Sequence, residues 1–203
     1  MDKGFFFENF CYTNKQKQSF LIYSKLLSNW QKKLNLVSSK SIQDQWARHF
    51  IDSAQIIEYI KPYNSYKGII DIGSGAGFPG LVLSLLGCCP MYLIESNRHK
   101  AKFLEDVINK TGSKARVFNG RVESVKLPSF DIVISRAFAS LNKLLSILEV
   151  RGIYDVKCIF PKGKTYKKEL AEAKKKWDVD LSTYKSITNS ESRIVVVEAF
   201  KRA

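Results

Sequence analysis

The stretch GIIDIGSGAGFPG, Gly68 to Gly80, decides the fold of this 203-residue chain. Its isoleucines Ile69, Ile70 and Ile72 form a β-branched run that is typical of a buried parallel strand. Alternating glycines follow, and glycine is the residue that adopts positive φ and lets the backbone approach a ligand closely. The apolar run that comes next predicts a helix, with Pro79 near its first turn. A strand, a glycine turn and a helix N-terminus together predict a nucleotide-binding edge.

Two acidic residues make this pattern more specific than the glycines alone, although a glycine-rich turn with solvent-facing acids is the alternative. Asp71 lies two residues before the first glycine, and Glu95 ends the next apolar run, Met91 to Ile94. A carboxylate at the end of the second strand can accept both ribose hydroxyls of an adenosine. The cofactor-binding candidates at this edge are Asp71, Gly73, Gly75, Gly77 and Glu95.

The chain is strongly basic, with a formal net charge of +14 and a sequence pI of about 9.6. This bias predicts a polyanionic partner, most simply a nucleic acid. The alternative is a lysine-rich protein that has no such partner. A hydrophobic content of 45% supports a real core, and the length suits one α/β domain with a small extension.

The cysteines and histidines indicate no metal site. Four cysteines show no C-x-x-C spacing, and two histidines cannot complete the usual zinc patterns. We expect reduced thiols and a cytoplasmic protein. The Phe5–Phe7 run is too short for a signal peptide, and glycines and prolines interrupt the uncharged run Ile72–Ile94, so no membrane segment is expected.

Two parts of the chain differ in their pattern. Residues 1–65 have helical spacing, with a helix around Phe20 to Leu34 and a second over Ile42–Tyr59, and they predict an N-terminal helical extension. The expected linker residues are Pro62, Asn64 and Ser65. Residues 66–203 alternate strands with helices, which predicts an α/β fold with a doubly wound, Rossmann-like parallel sheet. Further strands are expected at 91–94, 115–118, 132–135 and 156–160, helices at 98–111, 141–148 and 166–177, and a final antiparallel pair at 181–187 and 194–200.

Further candidates follow the third, fourth and fifth strands, where ligands lie in such sheets. Arg121 to Glu123 could touch an adenine, and an ordinary charged loop is the alternative. Ser135 to Phe138 lacks the Asn/Asp-Pro-Pro-aromatic turn of amino-group methylating enzymes, and Cys158 fits a strand core better than a nucleophile. The basic turn PKGK, Pro161 to Lys164, is a candidate phosphate contact. The lysines in 167–176 fit either phosphates or a solvated helix face.

Six motifs occur together in a recognisable order: RHFIDS (48–53), DIGSGAGFPG (71–80), Glu95, GRVE (120–123), SRAFASL (135–141) and PKGK (161–164). With them the chain resembles the bacterial 16S ribosomal RNA guanine-N7 methyltransferases, once called glucose-inhibited division protein B. The resemblance implies a class I methyltransferase fold that uses S-adenosylmethionine. The residues that it assigns to the cofactor site are Gly73, Phe78, Val122 with Glu123, and Arg136.

The chemistry of the target atom predicts that no general base is needed. Guanine N7 carries an in-plane lone pair and no proton at neutral pH, so methyl transfer requires orientation and exclusion of water. Arg136 is expected to act by positioning, with its fork on the cofactor carboxylate, a phosphate or the guanine O6. His49 and Asp52 share a helix face, and such a pair fits a structural hydrogen bond better than a catalytic dyad.

The expected partner is 16S ribosomal RNA or the small-subunit particle, and the enzyme is expected to be a monomer. The expected RNA contacts are Arg48, His49, Lys162 and Lys164. Two alternatives remain open from the residues alone. An NAD-dependent oxidoreductase uses a similar loop, although no hydride-transfer site is apparent. A non-catalytic RNA-binding protein is the other, and the intact Asp71, Gly73, Glu95 and Arg136 argue against it.

Overall fold

A seven-stranded sheet lies at the centre of the molecule, in a computed structural model that describes residues 1–60, 66–88 and 90–203. The strands are β1 Ile69–Ile72, β2 Met91–Glu95, β3 Arg116–Asn119, β4 Ile132–Ile134, β5 Lys157–Lys162, β6 Trp177–Lys185 and β7 Arg193–Arg202. Their order across the sheet is β3-β2-β1-β4-β5-β7-β6. The first five strands run parallel, and β7 runs antiparallel to β5 and β6. The predicted α/β class is confirmed.

Helices cover both faces of this sheet and make up most of the N-terminal part. They are α1 Lys3–Phe10, α2 Asn14–Gln31, α3 Ser39–Ile42, α4 Asp52–Ala54, α5 Gly80–Leu85, α6 Arg98–Thr111, α7 Leu141–Val150 and α8 Tyr166–Lys174. A π-helix, Trp46–Ile51, precedes α4, and a 3-10 helix, Gln55–Tyr59, follows it. The predicted linker at Pro62, Asn64 and Ser65 lies outside the described residues, as does Cys89.

Each face of the sheet carries its own hydrophobic cluster, because side chains alternate between the faces along a strand. Ile69 and Leu93 join α5, α6 and the N-terminal helices in one cluster. Ile70 and Ile72 join α7, α8 and β7 in the other. β1 is buried along its whole length, as its β-branched run predicts. The loops at the carboxyl ends of the strands therefore stand on a packed, two-sided sheet.

The N-terminal helices pack directly on the sheet domain. Phe20, Tyr23 and Phe50 are fully buried in the same cluster as Leu81 of α5. The Tyr23 hydroxyl also donates a hydrogen bond to the carbonyl of Ala76 in the glycine loop. The helices thus extend the core of the sheet domain. The predicted division at 65/66 stays a prediction, because it falls at the edge of the undescribed residues 61–65.

Three predicted elements differ from the structure, and in each of them packing or pairing overrides the local pattern. The predicted helix Ile42–Tyr59 is interrupted, because α3 is separate and helical structure resumes at Trp46 with π-helical turns. Trp177 begins β6 instead of ending α8. Pro161 and Lys162 do not form a turn, since both continue β5 and pair with β7.

Replacing Gly77 with alanine tests how tightly the glycine loop is packed. Gly77 has a φ of +89°, and a Cβ there would lie 2.6 Å from both Leu81 Cδ1 and the Tyr23 hydroxyl. Left-handed backbone costs a larger residue about 1–2 kcal/mol, and overpacking adds about 1–3 kcal/mol. We expect Gly77→Ala to lower the free energy of unfolding by the sum of both, measured by denaturant unfolding.

Gly112→Ala is the matched control for this substitution. Gly112 has a φ of +70°, but a Cβ there meets no atom within 4 Å. Only the backbone cost of about 1–2 kcal/mol is therefore expected. Equal losses in the two variants would show that the loop at Gly77 has room to relax.

Candidate active site

A cavity of about 1050 Å³ opens where the parallel strands end. The loops after β1 to β5 form its floor, and residues 36–52 of the N-terminal part form a side wall. Ligand sites commonly have volumes of about 300–1000 Å³, so the cavity has room for a nucleotide-sized cofactor and an approaching base. It lies at the edge where doubly wound sheets bind their ligands.

Glu95 joins the glycine loop to the start of α6. Its Oε2 accepts the N–H of Gly75 at 2.8 Å, and its Oε1 accepts the N–H of Asn97 at 2.7 Å. The residue is 7% exposed and lines the cavity. Each carboxylate oxygen has a second acceptor position, so the group can bind a diol while it keeps both backbone bonds. Its geometry is compatible with the predicted ribose contact.

Gly73 and Gly75 bring the backbone close to the cavity. Both have positive φ, at +71° and +56°. A Cβ on Gly73 would collide with the ring of Phe138, whereas a Cβ on Gly75 would meet only a backbone oxygen at 3.8 Å. Gly73 therefore allows an aromatic ring to rest on the loop, and Gly75 leaves space on the cavity side.

Asp71 and Gly77, two of the predicted cofactor residues, do not line the cavity. Asp71 is fully buried, and its Oδ2 accepts the N–H of Gly80 at 2.9 Å, at the start of α5. Burial raises the pKa of this carboxyl to about 7. Gly77 is packed against Tyr23 and Leu81. Both residues therefore shape the glycine loop from behind, away from the cavity lining, and their assignment to the cofactor site stays a prediction.

The loop after β3 carries Val122 and Glu123 to the cavity. Val122 is buried and Glu123 is exposed. The N–H of Gly120 donates to the Glu95 carbonyl at 3.1 Å, which ties this loop to the end of β2. An apolar side chain and a carboxylate on adjacent residues can meet the face and the amino edge of an adenine. This role, like that of Phe78 on the same cavity wall, stays a prediction.

The Arg136 guanidinium binds three groups of the N-terminal wall. Its Nη1 donates to the Arg48 carbonyl at 2.8 Å and to Asp52 Oδ2 at 2.9 Å, and its Nη2 donates to His49 Nδ1 at 3.0 Å. The side chain is 15% exposed. Three of its five donors hold the protein together, and the expectation that this fork also grips a ligand stays a prediction. Arg136 positions the wall of the cavity and still lines it.

His49 belongs to a stack of three rings beneath this arginine. It stacks on Phe78 with ring centroids 4.9 Å apart, and Phe78 stacks on Tyr23 at 5.4 Å. Burial, followed by the nearby Arg136 and Arg48, lowers the pKa of His49 to about 3. Its Nδ1 accepts from arginine, so the ring is neutral with its proton on Nε2.

A neutral, buried His49 is not suited to act as a general base. The Nδ1 lone pair already accepts a hydrogen bond from Arg136, so it is not free to take a proton from a substrate. Its Nε2 is buried without a partner in the described part of the chain. The ring supports Phe78 within the stack and also lines the cavity, and the expectation that His49 contacts RNA stays a prediction.

Lys162 is a buried strand residue with a paired ammonium group. It is 8% exposed, its Nζ lies 3.0 Å from Glu169 Oε2, and it donates to the Ala139 carbonyl at 2.6 Å. The predicted basic turn is therefore corrected to a strand end with a paired ammonium group, and the predicted RNA contact of Lys162 stays a prediction. Lys164 and Arg48 are exposed, and their predicted RNA contacts stay predictions.

Sequence reasoning overlooked the roles of three residues. Asp52 was paired with His49 by spacing, but its Oδ2 actually accepts from Arg136. Glu169, which lies among the lysines of residues 167–176, anchors Lys162. Phe138 drew attention only as part of a motif. Contacts between residues distant in sequence leave no local signal, whereas the SRAF segment itself marked the loop that carries Phe138.

Three further features bear on function: the possible metal ligands, the length and polarity of the helices, and the thiol of Cys158. Within residues 1–60, 66–88 and 90–203, no group of three or more His, Cys, Asp or Glu side chains could hold a metal ion. Across the same residues, no helix is long and apolar enough to cross a membrane. Cys158 is fully buried in β5, and burial raises the pKa of its thiol far above the ordinary value, as expected of a core residue.

The sheet order, the glycine loop and the cavity define a class I methyltransferase fold. Solved structures that share it include a mutant of MtNAS in complex with S-adenosylmethionine, with a TM-score of 0.61 and 15% identity, covering 91% of this chain and 76% of that chain. The 16S rRNA methylase RmtB has a TM-score of 0.55 and 11% identity, covering 94% and 78%. At these identities the likeness shows the fold alone.

Sequence similarity identifies one family within this class. The GidB family model, described as rRNA small subunit methyltransferase G, matches residues 16–196. A relative of that name in Rickettsia bellii (strain OSU 85-389) is 38% identical over 176 residues, which are 87% of this chain and 90% of the relative. Another, in Rhodospirillum centenum, is 39% identical over 177 residues, covering 85% and 79%. The chain belongs to this family, which favours the methyltransferase interpretation over the oxidoreductase.

Asp71 predicts a pH-dependent stability. The pKa of its carboxyl is about 7 in the folded protein and 3.8 ordinarily. Below about pH 4 both states are protonated and there is no penalty. As pH rises to 7 the unfolded chain loses the proton first, so the free energy of unfolding falls by about 1.4 kcal/mol per pH unit. Above about pH 7 this carboxyl lowers the free energy of unfolding no further.

Asp71→Asn removes this titration and keeps an oxygen for Gly80. We expect the variant's stability relative to the unchanged protein to improve steadily from about pH 4 to 7 and then level off. Denaturant unfolding at a series of pH values measures the difference, in which the titrations of other groups cancel. Parallel stability curves would show that the buried carboxyl keeps an ordinary pKa.

Proposed function

We propose that this protein transfers a methyl group from S-adenosylmethionine to N7 of a guanine in 16S ribosomal RNA of the small subunit. The observation that carries the proposal is a ligand-sized cavity at the strand ends in a chain of the rRNA small subunit methyltransferase G family. The cavity floor presents Glu95 and the positive-φ glycines Gly73 and Gly75, and its lining carries both basic and acidic side chains.

The residues on the floor fit this cofactor. Glu95 would accept the ribose hydroxyls, and Val122 with Glu123 would flank the adenine. A Cβ placed on Gly75 would come no closer than 3.8 Å to another part of the protein, so a ligand can approach the backbone there. Phe78 closes the side of the cavity below Arg136, whose guanidinium carbon is 5.2 Å from the ring centroid. Bound S-adenosylmethionine supplies an electrophilic methyl group on a sulfonium.

The protein's own residues orient the cofactor and the guanine and exclude water from the site. None of them has to move a proton. N7 presents a free lone pair, so a base would gain nothing in the transition state. Arg136 holds the N-terminal wall against the floor and so fixes the width of the cleft in which the guanine must approach. Orientation of this kind can supply most of the rate enhancement that such a transfer needs.

The surface around the cavity suits an RNA substrate. Arg48, which lines the cavity, and Lys164, which follows the cavity-lining Gly163, are both exposed, and α8 carries further exposed lysines. A net charge of +14 favours association with phosphate backbones. The guanine must be accessible, which favours a single-stranded or transiently open nucleotide of the RNA or of the small-subunit particle. We place this reaction in the cytoplasm and expect a monomeric enzyme.

The function is tested by mapping 7-methylguanosine in 16S ribosomal RNA from cells with and without the protein. The modification should appear at one position only when the protein is present. Purified protein should also transfer labelled methyl groups to RNA from the deficient cells. Identical maps from both cells, with no transfer in vitro, would contradict the proposal.

The cofactor assignment predicts that Glu95→Ala binds S-adenosylmethionine more weakly. Two lost hydrogen bonds to a charged acceptor cost about 2–4 kcal/mol, or about 30- to 1,000-fold in affinity. Calorimetric titration measures the change, and circular dichroism confirms that the variant is folded. Glu172→Gln on the exposed face of α8 is the control and should bind normally. Unchanged affinity in folded Glu95→Ala would overturn the assignment.

A further inference from the structure

Phe138 is a large aromatic residue that the fold leaves open to the cavity. It is 46% exposed, whereas Phe50, Phe78 and Phe103 are buried. One part of its ring rests on Gly73, since a Cβ there would collide with it. Among the described residues, no other aromatic ring pairs with Phe138. A flat apolar face is therefore available at the mouth of the site.

The loop that carries this ring is braced on both sides. At its start, the Ser135 hydroxyl donates to the Ile72 carbonyl at 2.8 Å. At its end, Lys162 donates to the Ala139 carbonyl at 2.6 Å, and Glu169 Oε2 accepts the N–H of Leu141 at 3.0 Å. The ring is thus held at a fixed position although it is exposed.

The backbone between these braces is held in an uncommon conformation. Ala137, just before the ring, has a φ of +55°, which a residue with a side chain adopts at a cost. Such strain persists only where the surroundings impose it, and here the bonds on either side do so. Relaxing Ala137 would turn the following side chain away from Gly73.

We propose that Phe138 is the stacking face for the target guanine during methyl transfer. This inference rests on the proposed function and adds the residue that receives the base. Stacking on an aromatic ring suits any flat base, and it would present the guanine edge to the cavity floor. The flat ring beside the loop offers the largest exposed apolar surface of the cavity mouth for that purpose.

The charges around the ring favour the product-like state of the base. Methylation at N7 makes the guanine ring cationic, and an aromatic face attracts a cation. The two cations beside the loop are each paired, Arg136 with Asp52 at 2.9 Å and Lys162 with Glu169 at 3.0 Å. They therefore oppose the developing charge only weakly. The contact with Phe138 strengthens as the reaction proceeds, which is the kind of interaction that raises the rate.

Phe138→Leu, Phe138→Tyr and Phe138→Trp test the proposal. Leucine keeps apolar bulk without the π face, and the other two keep the face. On 16S ribosomal RNA from deficient cells, single-turnover methylation at saturating cofactor and RNA should fall about 5- to 150-fold in Phe138→Leu. The aromatic variants should stay within a few-fold of the unchanged protein. Tyr154→Leu, 45% exposed and away from the cavity, is the control and should remain active.

A binding measurement separates base stacking from a contact with the cofactor. S-adenosylmethionine affinity, measured by calorimetry, should be the same in Phe138→Leu and in the unchanged protein. With S-adenosylhomocysteine present, 7-methylguanosine monophosphate should bind more tightly than guanosine monophosphate. That preference should disappear in Phe138→Leu.

Two outcomes would overturn the proposal while the unchanged protein still methylates RNA. One is a normal single-turnover rate in Phe138→Leu. The other is a loss that follows weakened S-adenosylmethionine binding, which would assign the ring to the cofactor. If the unchanged protein transfers no methyl group to the RNA, the proposed function itself fails. The preference for 7-methylguanosine monophosphate over guanosine monophosphate, and its loss in Phe138→Leu, then tests the stacking role of Phe138 by itself.

Discussion

The Arg136 guanidinium is the interaction on which the arrangement of the site depends. It reaches from the loop after β4 to three groups of the N-terminal wall, at distances of 2.8–3.0 Å. Hydrogen bonds to charged groups are each worth about 1.5–3 kcal/mol, and the guanidinium fork fixes direction as well as distance. Close by, Asp52 Oδ1 also accepts from the Thr188 hydroxyl at 2.7 Å, so the arginine and this aspartate together join the helical wall to the sheet domain through directional bonds.

The same arginine explains why the wall contains buried polar groups. His49 remains neutral because it is buried beside two arginines, and its ring supports Phe78 in the stack that ends at Tyr23. The Tyr23 hydroxyl in turn holds the glycine loop through the Ala76 carbonyl. The helical extension therefore acts as part of the active-site scaffold. π-Helical turns, which supply Arg48 and His49 here, are frequent at functional sites.

The sequence was informative wherever structure is set by local pattern. The bounds of α6 and the place of Glu95 follow from periodicity and from the end of a strand. The local sequence pattern was misleading where a residue's contact partner lies far away along the chain. Lys162 looked like a turn residue because its pairing with β7 and with Glu169 is invisible locally. Asp71 looked like a ligand contact, and only the packing of α5 on β1 shows that it is fully buried.

The central claim is that Arg136 fixes the wall of the cleft, and amide hydrogen exchange of Arg136→Lys tests it most directly. Lysine keeps the charge but cannot reach all three partners. Exchange across residues 46–54 should accelerate at least about tenfold, as the loss of one such bond predicts, while β1 and β2 stay protected. Arg48→Lys, an exposed residue with a 3.8 Å ion pair, is the control. Unchanged exchange in Arg136→Lys, together with lost methylation, would contradict this account and assign the arginine to the ligand.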